Sequence, residues 1–267
     1  MNDKKLRVAL IGHGAIGRVI ARELLALGGN EVELIAVLCH RAEEGAGLPV
    51  PVYTELPALL ALQPDLIVEA AGHEAVRAYG AECLAAGADL LLVSVGVLSD
   101  PEVLETLERA ARAAGRQVLL PSGALAGLDY LQAARLAGLQ SVCYRSRKPP
   151  QAWRDTPAEK LLDLGAVHEA TVFFRGTARQ AARDYPKNAN VAATLALCTL
   201  GLDDTQVELI ADPLASGNVH EIEAQSAVGR LSVQVQNLPS PDNPKTSLVT
   251  PYSALRTIMS RRAAVSV

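Results

Sequence analysis

Aromatic side chains are scarce in this 267-residue chain: Phe, Tyr and Trp together make up 3%, with one Trp and two Phe. Without rings, a core has to be built from Leu, Val and Ala. No stretch approaches the apolar length needed to cross a bilayer. Near the N-terminus the apolar run Val8–Ile11 ends at a glycine, too short for the apolar region of a signal peptide. An excess of either charge is also lacking. The net charge is −4, and no basic stripe is visible, so a nucleic-acid surface is not expected. None of the four cysteines, Cys39, Cys83, Cys143 and Cys198, belongs to a C-x-x-C pair. Three sit in apolar runs, which reads as buried free thiols in a reducing compartment. The expectation is a cytoplasmic protein with no metal site and no membrane partner.

What is present is a globular composition, 49% apolar and 20% charged, in a chain long enough for two domains of ordinary size. Short apolar runs at 6–11, 32–38, 66–70, 90–95 and 117–120 are bounded by Gly, Pro or Asp. Such runs read as strands of a parallel sheet covered on both faces. Helical stretches at 15–27, 55–62, 74–86 and 101–114 alternate with them. The last opens Ser99-Asp100-Pro101, with proline in the first turn. This alternation predicts a doubly wound α/β domain over residues 1–122.

The texture changes near Pro121. Runs of alternating polarity follow at 141–146, 170–175, 206–211, 219–227 and 230–236, with helices expected at 123–137 and 188–200. Half-buried strands alternate in this way. The expected fold class is therefore α/β: a Rossmann-type parallel sheet plus an α+β domain with an open mixed sheet, over 123–240. The Pro-rich stretch 238–244 reads as a loop. The segment 241–267, with an amphipathic helix at 252–259, is expected to pack back on the first domain.

The strongest single motif is Gly12-His13-Gly14-Ala15-Ile16-Gly17, placed between a strand and a helix. The first glycine permits a tight turn, the second lets a pyrophosphate approach the backbone, and the third lets the helix pack on the strand. Gly12, Gly14, Ala15, Ile16 and Gly17 are thus candidate contacts of a nicotinamide dinucleotide at a helix N-terminus. The second strand ends Leu38-Cys39-His40-Arg41 without the acid that would bond a ribose 2′-hydroxyl, and Glu43 and Glu44 come late. Arg41 could hold a 2′-phosphate or be a solvated loop residue. NAD or NADP is therefore permitted. Ala71-Gly72-His73 and Val95-Gly96 follow strands, where ligands dock in open sheets. Glu69 is an acid in an apolar strand, either reaching the ligand side or buried and paired.

Polar groups concentrate in the second half at Tyr185–Val191, Gly217–Ile222 and Asn243–Ser247. The words GHGAIG near the start, PSGALAGLD at 121–129, PKNANVAATLAL at 186–197, GNVHEIE at 217–223 and NPKTSLVTPYSALRTI at 243–258 resemble the L-aspartate dehydrogenase family over essentially the whole chain. The resemblance implies a Rossmann domain joined to an open-sheet domain similar to dihydrodipicolinate reductase. It implies oxidation of L-aspartate with NAD or NADP to iminoaspartate, which hydrolyses to oxaloacetate and ammonia and can feed NAD biosynthesis. It places the family's active-site histidine on His220 and cofactor contacts on Ala124 and Asn190. It also implies a homodimer, formed through the second-domain sheet.

The residues can be read beside that resemblance. Oxidising an amine and hydrolysing the imine both call for a base, and histidine suits that work near neutrality. His220, flanked by Asn218 and Glu221, is the candidate for activating water and taking the amine proton; a lone strand histidine is otherwise structural. Two carboxylates on the substrate call for cations or oriented amides. Lys187, Lys245 and the cluster Arg145, Arg147 and Lys148 are available, and Lys187 and Lys245 are favoured for lying inside the polar segments, with Asn188 and Thr246 beside them. Asn190 taken alone would be a helix cap, and no chemistry argues for Ala124 apart from the resemblance. Two other classes stay open. A dihydrodipicolinate-reductase-like enzyme would keep the fold and change the substrate. A non-catalytic dinucleotide sensor would bind cofactor without turnover.

Overall fold

The computed structural model describes residues 5–29, 31–186, 190–241 and 243–265, without the side chains of Pro244 and Lys245. The chain divides into two compact units, Met1–Pro121 with Pro251–Val267, and Ser122–Thr250.

The first unit runs β1 (Leu6–Ile11), α1 (Ala15–Ala26), β2 (Val32–Leu38), β3 (Val52–Tyr53), α2 (Leu56–Leu60), β4 (Leu66–Glu69), α3 (His73–Ala85), β5 (Asp89–Leu92), α4 (Pro101–Ala114) and β6 (Val118–Leu119). Its six strands lie in the order β3-β2-β1-β4-β5-β6, every pairing parallel. The order reverses between β1 and β4, where open sheets of this class bind ligands. Val8, Ala9, Leu10, Ile67, Val68 and Leu91 have no exposed surface, as strands covered on both faces require. Helix α4 covers the range its sequence signals predict. Asp100 caps it by accepting from the Glu102 amide at 3.1 Å, and Gly115 ends it in the left-handed conformation, φ +63°.

The second unit contains α5 (Leu128–Gly138), β7 (Leu139–Lys148), β8 (Thr171–Thr177), α6 (Ala178–Asp184), α7 (Asn190–Cys198), β9 (Gln206–Ala211), β10 (Asn218–Ser226), β11 (Gly229–Asn237), β12 (Pro239–Ser240) and β13 (Asn243–Ser247). A mixed sheet runs β11-β10-β7-β9-β8; only β7 and β9 pair parallel, the rest antiparallel. Burial alternates along β7 from Val142 and along β10 from His220. Val142, Tyr144, Ser146, Lys148, His220, Ile222 and Ala224 are buried, while Arg145, Arg147, Glu221 and Glu223 are not. Helix α5 begins over the buried face, since a Cβ on Gly127 would lie 3.4 Å from Leu231, the residue opposite Ala224.

The chain then returns as α8 (Thr250–Ser260), whose Ala254, Leu255 and Ile258 join the first unit's aliphatic core with Val8, Leu10, Leu24, Val37 and Leu66. Burying Leu255 and Ile258 is worth about 2 kcal/mol each. Beyond the helix, Arg261 pairs with Asp89 and donates to Gln117 Oε1.

The fold class stands as expected, with local differences. The stretch 238–244 is not wholly a loop: β12 pairs β13, so an expected boundary at 241 falls inside a ladder. Helix 123–137 starts only at Leu128, because Gly123 and Gly127 take φ +62° and +77°. The strand expected over 90–95 stops at Leu92, and Val95–Ser99 forms a 3₁₀ turn. The two-residue β3 and the short α6 were too brief to carry a periodic signal. The few rings are not spread evenly. Trp153, Phe173, Phe174 and Tyr185 pack edge-to-face with centroids 4.8–6.4 Å apart, so the second unit has an aromatic anchor that a purely aliphatic expectation omits.

Candidate functional site

The glycine turn sits where β1 feeds α1, and its three glycines do different work. Gly12 adopts φ +94°, and a Cβ there would lie 2.7 Å from the Ala71 Cβ. A Cβ on Gly17 would lie 2.1 Å from the Gly12 carbonyl oxygen. Both glycines are therefore demanded by the packing of strand, turn and helix. Gly14 is different: a Cβ there would meet nothing within 4 Å. It is the exposed N-cap of α1, and the open space beside it is what a pyrophosphate at a helix N-terminus needs. Ile16 packs its side chain against the core, so its contribution to a ligand would be through its backbone.

A groove of about 730 Å³ opens beside the turn, lined by Gly12, His13, Gly14, His40, Arg41 and Glu44 among others. It is of the size that holds small molecules and cofactor fragments. Cys39 is buried, its amide donating to the Tyr53 carbonyl at 2.9 Å, while His40 and Arg41 are exposed. The Arg41 guanidinium approaches Glu44 Oε1 at 3.3 Å, and the Glu44 carbonyl oxygen lies 2.6 Å from His13 Nδ1. Glu44, three residues beyond Arg41, thus meets the guanidinium at the groove.

On the far side of the switch point Glu69 is 1% exposed. Its Oε1 accepts from the Ala71 amide at 2.8 Å, the Gly72 amide at 2.7 Å and Ser94 Oγ at 2.9 Å; Oε2 accepts from the Ser94 amide at 3.1 Å. Burial pushes this carboxyl above its usual range, and these bonds oppose that shift. Glu69 therefore holds the loops after β4 and β5 together and is not a free acid. His73 starts α3 and is partly exposed.

In the second unit His220 is 4% exposed on β10. Its Nδ1 lies 2.7 Å from the Tyr144 hydroxyl, the two rings nearly parallel with centroids 6.0 Å apart. Nε2 is buried without a hydrogen-bond partner among the described residues. Burial, with the Lys148 ammonium adding to it, lowers the imidazole pKa to about 3, so the ring is uncharged at neutral pH. Native interiors rarely leave such an atom unpaired, and a ligand is one explanation.

The expected basic cluster splits across the sheet. Arg145 pairs with Glu208 at 2.8 Å and Glu223 at 3.2 Å, and Arg147 with Glu221 and Asp212 at 3.1 Å each, all away from His220. Glu221 therefore does not flank His220 in space. Lys148 alone of the cluster shares the His220 face, with Nζ 5.2 Å from the Trp153 ring centroid. Asn218 Nδ2 donates to Ser247 Oγ at 3.4 Å, with Thr246 half-buried beside it. The Ala124 carbonyl accepts from Asn237 Nδ2 at 3.0 Å, and Asn237 faces Asn218 across the ladder. Ala124, Asn218, His220, Asn237 and Ser247 thus gather at one end of β10. Asn190 opens α7, its carbonyl accepting from Thr194 Oγ1 at 2.9 Å. Lys187 and Asn188 lie outside the described residues, as does the Lys245 side chain. Sequence reading missed Tyr144 and Lys148 as neighbours of His220. Alternation puts them on one face of β7 with Ser146, but only the pairing of Ser146 with His220 brings that face to the histidine.

A parallel sheet of this order, with that glycine turn at its switch point and a mixed-sheet unit following, defines a Rossmann-type dinucleotide-binding protein with a second α+β domain. Residues 12–121 match the model of the homoserine dehydrogenase NAD-binding domain, and residues 129–261 that of the aspartate dehydrogenase C-terminal domain. The chain is 46% identical to L-aspartate dehydrogenases of Cupriavidus taiwanensis and Pseudomonas aeruginosa, in each case over 98% of this chain and 100% of the relative. It belongs to the L-aspartate dehydrogenase family. Among solved structures, aspartate dehydrogenase from Thermotoga maritima superposes with a TM-score of 0.79 at 26% identity, covering 99% of this chain and 100% of that one. Dipicolinate-bound dihydrodipicolinate reductase from Paenisporosarcina sp. TG-14 shares the fold, with a TM-score of 0.54 at 14% identity over 94% of this chain and 95% of that one.

Proposed function

We propose that the protein catalyses the reversible NAD(P)-dependent oxidation of L-aspartate to iminoaspartate, which water converts to oxaloacetate and ammonia. The observation that carries this reading is His220: a buried, uncharged imidazole with one nitrogen unpartnered among the described residues, in the half of the chain that matches the aspartate dehydrogenase C-terminal model. Bound nicotinamide would supply the hydride acceptor for the substrate Cα. The chain's own part begins with Gly12, Gly14, Ala15, Ile16 and Gly17, whose backbone would receive the pyrophosphate at the start of α1. Arg41 would face the adenosine ribose, where a guanidinium suits a 2′-phosphate and does not forbid a hydroxyl. Ala124 and Asn190 are assigned to cofactor contact from the family, the first through its backbone or methyl.

Lys187 and Lys245, with Asn188 and Thr246, are proposed to hold the two carboxylates by charge-assisted hydrogen bonds. His220 is proposed as the imidazole that meets the substrate at the reacting carbon. Iminoaspartate as the product would fit a supply role in NAD biosynthesis, in the reducing cytoplasm that four unpaired cysteines favour. A homodimer belongs to the same reading, joined through the sheet face where Glu223, Arg145, Glu208 and Arg175 form a charged ladder. Light scattering of the purified protein tests it, a monomeric mass being the adverse result.

The test of function is the absorbance of reduced cofactor over a panel of amino acids, with NAD and with NADP, for the wild type and His220→Ala. Turnover specific to L-aspartate, lost in a folded His220→Ala protein that still binds cofactor, is expected. No signal with L-aspartate overturns the substrate, and a fully active His220→Ala protein overturns the assignment of the imidazole.

A further inference from the structure

Strands β7, β9, β10 and β11 keep their charges on one face of the sheet, with Lys148 as the exception. Arg145 and Arg147 point away from His220, where Glu208, Glu223, Glu221 and Asp212 hold them. On the His220 face, the residues paired with β7 and β10 are Val207, Leu209 and Ala211 of β9 and Leu231, Val233 and Val235 of β11. Lys148 lies on this aliphatic face and is 4% exposed. An ammonium is costly to bury, and a leucine would suit the face better. The lysine is also held in place. Its carbonyl accepts from the Asp212 amide at 2.9 Å, and Pro149 after it favours an extended backbone. Nζ lies 5.2 Å from the centroid of the Trp153 ring, which is fully buried and fixed by a 3.1 Å bond from Nε1 to the Ile210 carbonyl. Ser146 stands opposite His220, so Lys148, two residues on, is a diagonal neighbour of the histidine on the same face. Diagonal neighbours are about 7–8 Å apart, within reach of a long side chain. The ammonium does act on the ring: it adds to burial in lowering the imidazole pKa.

We infer that Lys148 is a substrate-binding residue, whose ammonium holds a carboxylate of the dicarboxylic substrate and so sets the reacting carbon beside His220. This rests on the proposal that the substrate meets His220, and it adds a third lysine to Lys187 and Lys245. An ammonium has three hydrogens, so a bond to a protein group is compatible with one to a substrate oxygen. A carboxylate arriving here forms a charge-assisted hydrogen bond in surroundings largely cleared of water, where such bonds are strong. The same cation serves the imidazole. It disfavours the imidazolium before substrate binds, so the ring is uncharged and able to take a proton, and a bound carboxylate offsets that effect as the proton is taken. A leucine at this position would pack well and do neither.

Binding of succinate, a four-carbon dicarboxylate with no amine to oxidise, reads this without turnover. Calorimetry is done on the full-length protein saturated with dinucleotide, for the wild type, Lys148→Met and Lys148→Arg. Lys148→Met keeps the length of the stem and removes the charge. Its affinity for succinate should fall at least about tenfold, and Lys148→Arg, which keeps a cation, should lose less. Lys148→Gln repeats the test should the Met variant fail to fold, as near-ultraviolet circular dichroism would report. In steady-state kinetics Lys148→Met should raise KM for L-aspartate at least about tenfold, while KM for the dinucleotide stays within about twofold. A purely structural lysine would move both constants or neither, and would gain nothing from arginine. Succinate affinity in the uncharged variants within about twofold of the wild type overturns the inference, as does a wild type that binds no succinate. Absence of turnover with L-aspartate instead overturns the proposed reaction, and the succinate measurements still decide whether Lys148 binds a carboxylate.

Discussion

Glu69 and Ser94 are joined twice: Ser94 Oγ donates to one carboxylate oxygen at 2.9 Å, and the Ser94 amide to the other at 3.1 Å. With the Ala71 and Gly72 amides on the same carboxylate, this buried acid ties two loops at the ligand edge of the parallel sheet. In Glu69→Gln one oxygen becomes an NH₂ donor, and in either orientation a donor faces a donor. The variant should lose about 1–3 kcal/mol of stability and bind dinucleotide more weakly. Urea unfolding and a fluorescence titration with reduced cofactor measure the two effects. Unchanged stability would mean that the loops are held by other contacts.

Gly14 and Gly17 should separate cofactor binding from folding. Gly17→Ala places a methyl 2.1 Å from the Gly12 carbonyl oxygen, a backbone clash that must displace α1 or the turn. It should express poorly or melt well below the wild type. Gly14→Ala meets only open space at an extended backbone angle, φ −81°. It should keep the wild-type melting temperature while dinucleotide affinity drops, because the methyl occupies the approach to the helix N-terminus. Equal loss of stability in the two variants would contradict this division.

His220 makes acid stability directional. Its ordinary pKa of 6.5 falls to about 3 in the folded protein. Between those values the unfolded chain takes up a proton that the buried ring refuses. Stability is therefore full above pH 6.5 and declines as pH falls toward 3. Paired carboxylates such as Glu208 and Asp203, whose pKa values are lowered by arginines, add their own loss at acid pH. The readout is thus a difference: His220→Gln should have a shallower decline than the wild type across that window, measured by urea midpoints at stepped pH. Parallel curves would show that the histidine is charged or already solvated.

Arg41 should bear on the choice of cofactor. Its side chain is 73% exposed and leans on Glu44 at 3.3 Å, a surface pair worth little by itself. Losing the guanidinium should leave stability unchanged and weaken NADP by about tenfold, with little change for NAD. Glu44→Gln, which frees the guanidinium, should favour NADP. Steady-state kinetics with both cofactors decide it; equal effects on the two would place Arg41 outside the 2′-phosphate site.

How much of this was legible in advance depended on whether the signal was local. The parallel strands and α4 could be read because burial on both faces leaves an unbroken apolar run, and a cap, a proline and a terminal glycine mark a helix in consecutive residues. The glycine turn was legible because its steric demands lie within six residues; the structure sets atoms against a Cβ at Gly12 and Gly17 and leaves open space beside Gly14. The extent of β12 and β13 was not legible, since proline-rich strands this short lack periodicity. The surroundings of His220 were the least legible. Its sequence neighbour Glu221 turns to the opposite face and pairs with Arg147, while Tyr144, 76 residues earlier, supplies the bond to Nδ1. The residues by themselves determined the fold class and the dinucleotide turn, and the resemblance to the family singled out the candidate histidine. Only tertiary structure decided the company that histidine keeps, because a strand sends successive side chains to opposite faces and strand pairing chooses which distant residues share one.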